Sequence, residues 1–341
     1  MTDTPTFKHR FFGWLEADAR RWVNPDGSEG GIVAADASVH ASVRVSIGVE
    51  IGPGASIGPG ASIGDGASIG PGASIGDGAS IGSRASIGHR ASIGSGASIG
   101  ESASIGPGAS IGPGASIGDG AWIGPRASIG YRASIGENAS IGESASIGSG
   151  ASIGPGAWIG YRASIGKNAS IGDGASIGHG ASIGYRASIG HRASIGESAS
   201  IGGGASIGPR AWIGYGASIG SGASIGPRAW IGESASIGSG ASIGESASIG
   251  DGASIDKDEW YFTAGPQGGR NALLTAVLKP EGLRWWVGCR HDVSTADLLA
   301  AVEADHGASA HGDDYRHIIK SIETHPGLAR ALAAQSKAKT A

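Results

Sequence analysis

A solenoid of short β-strands is the fold class this sequence predicts, and three observations carry the prediction. Isoleucine occupies every sixth position from Ile51 to Ile255 without a break. Glycine follows each of them from Ile51 to Ile249, and alanine stands two places before each from Ile57 to Ile255. Wherever proline enters the repeat it falls two places after the isoleucine, as at Pro53, Pro107 and Pro227.

A period of six does not suit an α-helix, because 3.6 residues per turn would spiral the isoleucines around its surface. Along a strand the side chains alternate, so alanine and isoleucine of Ala-Ser-Ile share one face and serine points to the other. Glycine and the two variable residues then turn a corner, where a proline removes no ladder N–H. All charged side chains from Asp65 to Asp251 also fall in the two variable places. Polar corners and apolar inward positions result. Ile57, Ile123, Ile159, Ile213 and Ile231 are therefore expected in the core, each contributing about 1.5–3 kcal/mol on burial. Val33, Val39 and Val45 extend the register backwards.

Composition narrows the function classes. The formal net charge of −4 over 341 residues gives no electrostatic footprint for nucleic acid. A single cysteine, Cys289, leaves no internal disulfide framework. There is no apolar run of about 18 residues and no signal-peptide core in the opening MTDTPTFKHRFFGW. The expectation is a soluble cytoplasmic protein with no membrane or nucleic-acid partner, and no cofactor or metal.

The Ile-Gly-x-x-Ala-Ser unit resembles the hexapeptide repeat of the left-handed parallel β-helix, the fold of the trimeric LpxA-like acyltransferases. The resemblance covers residues 33–255. It implies a left-handed prism of about 12–13 triangular coils with three hexads each, and a homo-oligomer, trimeric by resemblance, with a dimer as the alternative. Residues 1–32, rich in aromatics (Phe7, Phe11, Phe12, Trp14, Trp22) and ending near an Asn24-Pro25-Asp26-Gly27 turn, read as a capping segment.

Residues 256–341 read as a small α+β domain. Residues 260–264 form a strand, and 272–278 with 283–288 form a hairpin around Lys279-Pro280-Glu281-Gly282. Ser294 caps a helix with Asp297 at its third position, and a second helix begins near Asp313. The segment resembles the C-terminal part that follows β-helical repeats in bacterial and phage proteins. The matching residues are Gly265-Pro266, Gly268-Gly269-Arg270-Asn271, Gly288-Cys289, His306-Gly307 and Tyr315, with Gly269 where serine is expected. That likeness implies architecture only, and an unidentified protein partner is expected on this domain.

Four tryptophans replace the outward serine, Trp122, Trp158, Trp212 and Trp230, at separations that are all multiples of eighteen. With three hexads per coil they stand in one column of exposed indoles, with Tyr161 and Tyr215 at the corner that ends the same face and Tyr131 and Tyr185 at the next. Exposed aromatic surface of this kind marks a contact surface. The sequence thus reads as a rigid scaffold that self-associates through a tryptophan face.

The alternative is a hexapeptide-repeat acyltransferase, since family enzymes use a coil histidine as general base; the weak candidates here are His89, His179 and His191, all in corner places. A second alternative is ice binding by the serine ladders. A metal site built on His179 and His191 lacks a third histidine close by. In the C-terminal region Cys289, His291, Asp292 and His306 offer a nucleophile–base combination, and Gly265–Arg270 a phosphate cradle. A buried cysteine and a glycine-rich turn account for both more simply.

Overall fold

The computed structural model describes residues 5–257, 259–267, 272–287 and 290–340. It divides into two compact units, Met1–Arg192 and Ala193–Ala341, and the repeat winds about twelve turns of a β-solenoid.

In the first unit each hexad supplies a two-residue strand, from Ser38–Val39 to Ser188–Ile189. Ser56 pairs in parallel with Ser74, and Ser74 with Ser92. Sheet neighbours are therefore eighteen residues apart, and one turn holds three hexads. The ladder is regular: Ser74 N–H donates to the Ala91 carbonyl at 2.9 Å and Gly76 N–H to Ile93 at 2.8 Å. Alanine and isoleucine point inward and are all but inaccessible, Ile57, Ile123 and Ile159 among them, as are Ile213 and Ile231 in the second unit.

Two corner requirements explain the rest of the repeat. The glycine after each isoleucine lies under the corner of the next turn, and a Cβ on Gly136 would sit 2.4 Å from the Pro155 nitrogen. The second variable residue has left-handed backbone, with φ of 58° at Arg84, 55° at Asn138 and 56° at Arg162. Glycine adopts this conformation freely, whereas each arginine or serine there costs about 1 kcal/mol. Its N–H bonds back one turn, as Gly72 does to the Pro53 carbonyl at 2.9 Å. The first variable place makes no such ladder bond, which is why proline is confined to it.

The solenoid starts on an antiparallel meander of β1 (Phe7–Phe11), β2 (Leu15–Val23) and β3 (Glu29–Ala34), and β3 then pairs in parallel with the strand Glu50–Ile51. Side chains occupy backbone groups that no preceding turn can serve. Asn24 accepts the Val45 N–H at 2.8 Å and donates to its carbonyl at 3.1 Å, and Trp22 Nε1 donates to Val43 at 3.2 Å. Glu50 accepts the Phe12 N–H at 2.7 Å and meets His9 Nε2 at 3.0 Å. Phe11 and Trp22 are buried, but Phe7 and Trp14 are exposed. The aromatics of this segment therefore split between core and surface.

The second unit carries the remaining turns and the C-terminal region. Four antiparallel strands, Tyr261–Gln267, Ala272–Lys279, Gly282–Val287 and Arg290–Ser294, are followed by α1 (Thr295–His306), α2 (Ala310–Glu323) and α3 (Pro326–Thr340). Trp285, Leu274, Leu298, Val302, Tyr315, Ile319 and Ile322 form its core. The Ser294 cap is as expected, its hydroxyl accepting the Asp297 N–H. The second helix starts earlier than expected, because Ser309 caps it by accepting the Gly312 N–H. The fourth strand and α3 had no clear signal in a sequence rich in alanine and short of alternation. This region closes the last turns of its own unit: Gly250 N–H donates to the buried Thr275 hydroxyl at 2.8 Å, and Gly244 N–H to the Tyr261 hydroxyl at 3.1 Å.

Candidate functional site

Within each unit the tryptophans share one sheet. In the first unit the strand carrying Trp122 lies between those of Ser104 and Ser140, and Trp158 lies between Ser140 and Ser176. Trp122 is 43% and Trp158 39% exposed, at positions where their neighbours carry only a hydroxyl. In the second unit Trp212 and Trp230 occupy adjacent strands. Their rings stack at 5.0 Å with only 4° between the planes. Each covers one face of the other, so both are half-buried. The expectation of exposed indoles holds for Trp122 and Trp158, whereas Trp212 and Trp230 are half-buried: spacing by one turn lets a pair shelter itself, and spacing by two does not.

The corner beside the first pair is built from three further side chains. Tyr161 is exposed, and the Arg162 guanidinium lies 5.0 Å over its ring. The same arrangement recurs at Tyr131 with Arg132 and Tyr185 with Arg186. His179, one turn on from Tyr161, accepts the Tyr161 N–H at Nδ1 (2.8 Å) and meets Trp158 in an edge-to-face arrangement with ring centres 5.2 Å apart. This contact was missed in the sequence, although the eighteen-residue offset between 161 and 179 announces it. Asp119 and Asp251 do the same job elsewhere, accepting the N–H of Glu101 and Glu233 at 2.8 and 2.9 Å. Tyr215, in the second unit, is the most exposed of these tyrosines.

The hydrogen bond to His179 bears on its chemistry. A neutral imidazole that accepts at Nδ1 carries its proton on Nε2. Its Nε2 then has no lone pair with which to take a proton from a substrate. His89 and His191 lie exposed in corners of the first unit, followed by Arg90 and Arg192 in left-handed backbone. Among the described residues no three His, Cys, Asp or Glu side chains gather as metal ligands.

Among the described residues the C-terminal candidates lie with different partners. Cys289 and Gly268–Arg270 lie outside the described residues. Gly265–Gln267 is the end of the strand Tyr261–Gln267. The Asp292 carboxylate accepts from Arg284 Nε at 2.8 Å. His306 stacks on Tyr315 with ring centres 5.5 Å apart, while His291 stands near Gly252 of the last turn.

Stacked hexads on three parallel sheets define the class, a β-solenoid built on a six-residue repeat. Residues 42–77, 114–149 and 150–185 match the family model described as bacterial transferase hexapeptide (six repeats). The chain is a hexapeptide-repeat left-handed β-helix protein.

Among solved structures it is similar to PerB from Caulobacter crescentus, solved with CoA and GDP-perosamine, at 32% identity over 28% of this chain and 47% of that one, with a TM-score of 0.28. It is also similar to the UDP-N-acetylglucosamine acyltransferase of Francisella novicida, at 20% identity over 62% of both chains and a TM-score of 0.24. A third is the Campylobacter jejuni enzyme of that name, at 18% identity over 61% of this chain and 68% of that one, with a TM-score of 0.22. The chain thus spans about half of the first protein and about three fifths of the second. No curated protein matches it. Among the described residues no helix is long and apolar enough to cross a membrane.

Proposed function

We propose that this chain is a structural scaffold, a stiff β-helix that self-associates through its indole-bearing sheet and offers its C-terminal region to a further protein, in the cytoplasm. One observation carries the reading. Indoles take the outward place on one sheet of each unit, and in the first unit they are left open to solvent. All other outward places from Ser56 onward are serine. Tryptophan is strongly enriched among residues that anchor interfaces, and Tyr161 and Tyr215 extend the apolar surface at the corner. Exposed apolar rungs on a ladder with polar corners suit a protein–protein seam.

Sedimentation tests it. Replacing Trp122, Trp158, Trp212 and Trp230 together by serine is expected to lower the mass of the assembly, and a variant that keeps the parent mass would overturn the reading.

A second reading is favoured by the family-model match, whose description names transferases. On that reading the chain is an acyltransferase, and the base is His89 or His191 rather than His179, whose Nδ1 is engaged. Calorimetric titration with coenzyme A separates the two readings. Binding that disappears in His89→Ala or His191→Ala supports the enzyme, and absence of binding to the parent protein removes it.

A further inference from the structure

The first unit leaves one rung open between two indoles. Trp122 and Trp158 stand two rungs apart on one sheet with half-buried Ser140 between them. Indoles on adjacent rungs stack at 5.0 Å, as Trp212 and Trp230 do. The space over Ser140 is therefore roughly 10 Å between ring levels, twice the strand spacing. One more indole fits there, with a stacking partner on each side.

The open surfaces are not symmetric. His179 already covers the side of Trp158 that looks toward Ser176. What stays uncovered is the Ser140 side of Trp158 and the neighbourhood of Trp122.

We propose that the space over Ser140 is filled by Trp122 of a second copy of this chain. The two copies are related by a two-fold axis that runs along the strands, midway between the rungs of Trp122 and Ser140. This inference rests on the self-association proposed above and names its geometry. The axis carries the Trp122 rung onto the Ser140 rung and the Trp158 rung onto the Ser104 rung. Four indoles then form one ladder: Trp158 of the second copy, Trp122, Trp122 of the second copy, and Trp158. A His179 ring closes each end.

A shift of the second copy by one further rung would set its Trp122 against Trp158 itself, and a shift by two would place it over Ser176, on the side His179 occupies. The contact is isologous, as two-fold assemblies require, and its partner is a second copy because only an identical ladder repeats the same two-rung spacing.

Corner charges agree with this register. The axis sets Arg126 of each copy beside Glu143 of the other, joining two pairs that already exist within each chain. Arg84 of each copy comes beside Asp173 of the other. Asp119 and Glu137 meet their own kind near the axis. Asp119 is turned back onto its own chain by the Glu101 N–H, whereas the long arginine side chains can reach across the gap of about 10 Å between sheets packed face to face.

Sedimentation equilibrium on the full chain decides the matter, with Ser140→Trp as the decisive variant and Ser140→Ala as its control. Filling the rung from within the chain blocks the second copy's indole, so Ser140→Trp is expected to weaken the dimer at least tenfold while Ser140→Ala leaves it within twofold. Trp122→Ser is expected to weaken it at least tenfold as well. If association were general apolar adhesion, Ser140→Trp would tighten it, and that result, or an unchanged constant, overturns the interleaved ladder alone. A parent protein that stays monomeric overturns the self-association on which the ladder rests. Melting temperatures of all variants confirm that the coils remain folded.

Discussion

The two tryptophan pairs are made of the same residues in the same place of the repeat, yet they end in different states. Trp212 and Trp230 are one turn apart and stack on each other. Trp122 and Trp158 are two turns apart, and Trp158 has a histidine ring against it. Stacking between rings falls away beyond about 7 Å between centroids, so one additional turn of eighteen residues separates a satisfied pair from an unsatisfied one. A residue's role here follows from its distance along the coil axis rather than from its type.

The largest expected effect comes from disturbing the rung spacing on which this contrast depends. A Cβ on Gly142, after the Ser140–Ile141 strand, would lie 2.6 Å from the Gly160 carbonyl carbon, and one on Gly196 would lie 2.6 Å from that of Gly214. Gly142→Ala and Gly196→Ala are each expected to lose about 3 kcal/mol of stability in denaturant titrations. Clearly unequal losses would mean that the coils bearing the two pairs are not equivalent.

Next in size is the stack itself. Trp212→Ser should cost about 1 kcal/mol of folding stability, the worth of an aromatic pair. Trp122→Ser should cost its own chain less than about 0.5 kcal/mol, as surface changes do. Equal losses by both would break the distinction between a sheltered pair and an open one.

Corner arginines sharpen the contrast further. Arg210 has φ of 58° and follows a proline, whereas Arg162, with φ of 56°, lies over the Tyr161 ring. Arg210→Gly is expected to gain about 1 kcal/mol by relieving left-handed strain. Arg162→Gly should be close to neutral, because it also gives up a cation–π contact of about 0.5–1 kcal/mol. Thermal unfolding of the two variants checks the order.

The smallest effect belongs to the C-terminal core. Burial raises the pKa of Tyr315 above its ordinary 10.0. A phenol whose folded pKa is raised holds its proton longer in the native state. Its contribution to stability is therefore complete below pH 10.0 and is lost as pH rises through the higher folded value. Tyr315→Phe should flatten that alkaline decline, followed by circular dichroism.

Much of this was legible beforehand because the repeat is so regular. Alanine and isoleucine inward, serine outward and proline in the first corner place are all consequences of strand alternation and missing N–H groups. Three hexads per turn and parallel pairing agree with the resemblance read from Ile-Gly-x-x-Ala-Ser. The C-terminal region was less transparent. Its Ser294 cap has a local signature, but the strand Arg290–Ser294 is too short to alternate and is set by pairing with Gly282–Val287, and the helix Pro326–Thr340 lies against the strand Ala272–Lys279, far earlier in the chain. Of the candidate catalytic residues, His179 is placed one turn from Tyr161 by the eighteen-residue offset, but the hydrogen bond that fixes its tautomer depends on ring orientation, which spacing does not give.

The sequence by itself determined the alternation of short strands and polar corners, because a six-residue period of β-branched side chains followed by glycine suits little else. Three hexads to a turn, and with them the eighteen-residue offset between sheet neighbours, came from the resemblance, and the strand pairing bears them out. Only the tertiary structure decided what each shared place is worth. Ring contacts, the shelter of one indole by another, and the lone pair that His179 surrenders to Tyr161 act across turns over a few ångströms. Linear spacing brings such groups together but does not orient them.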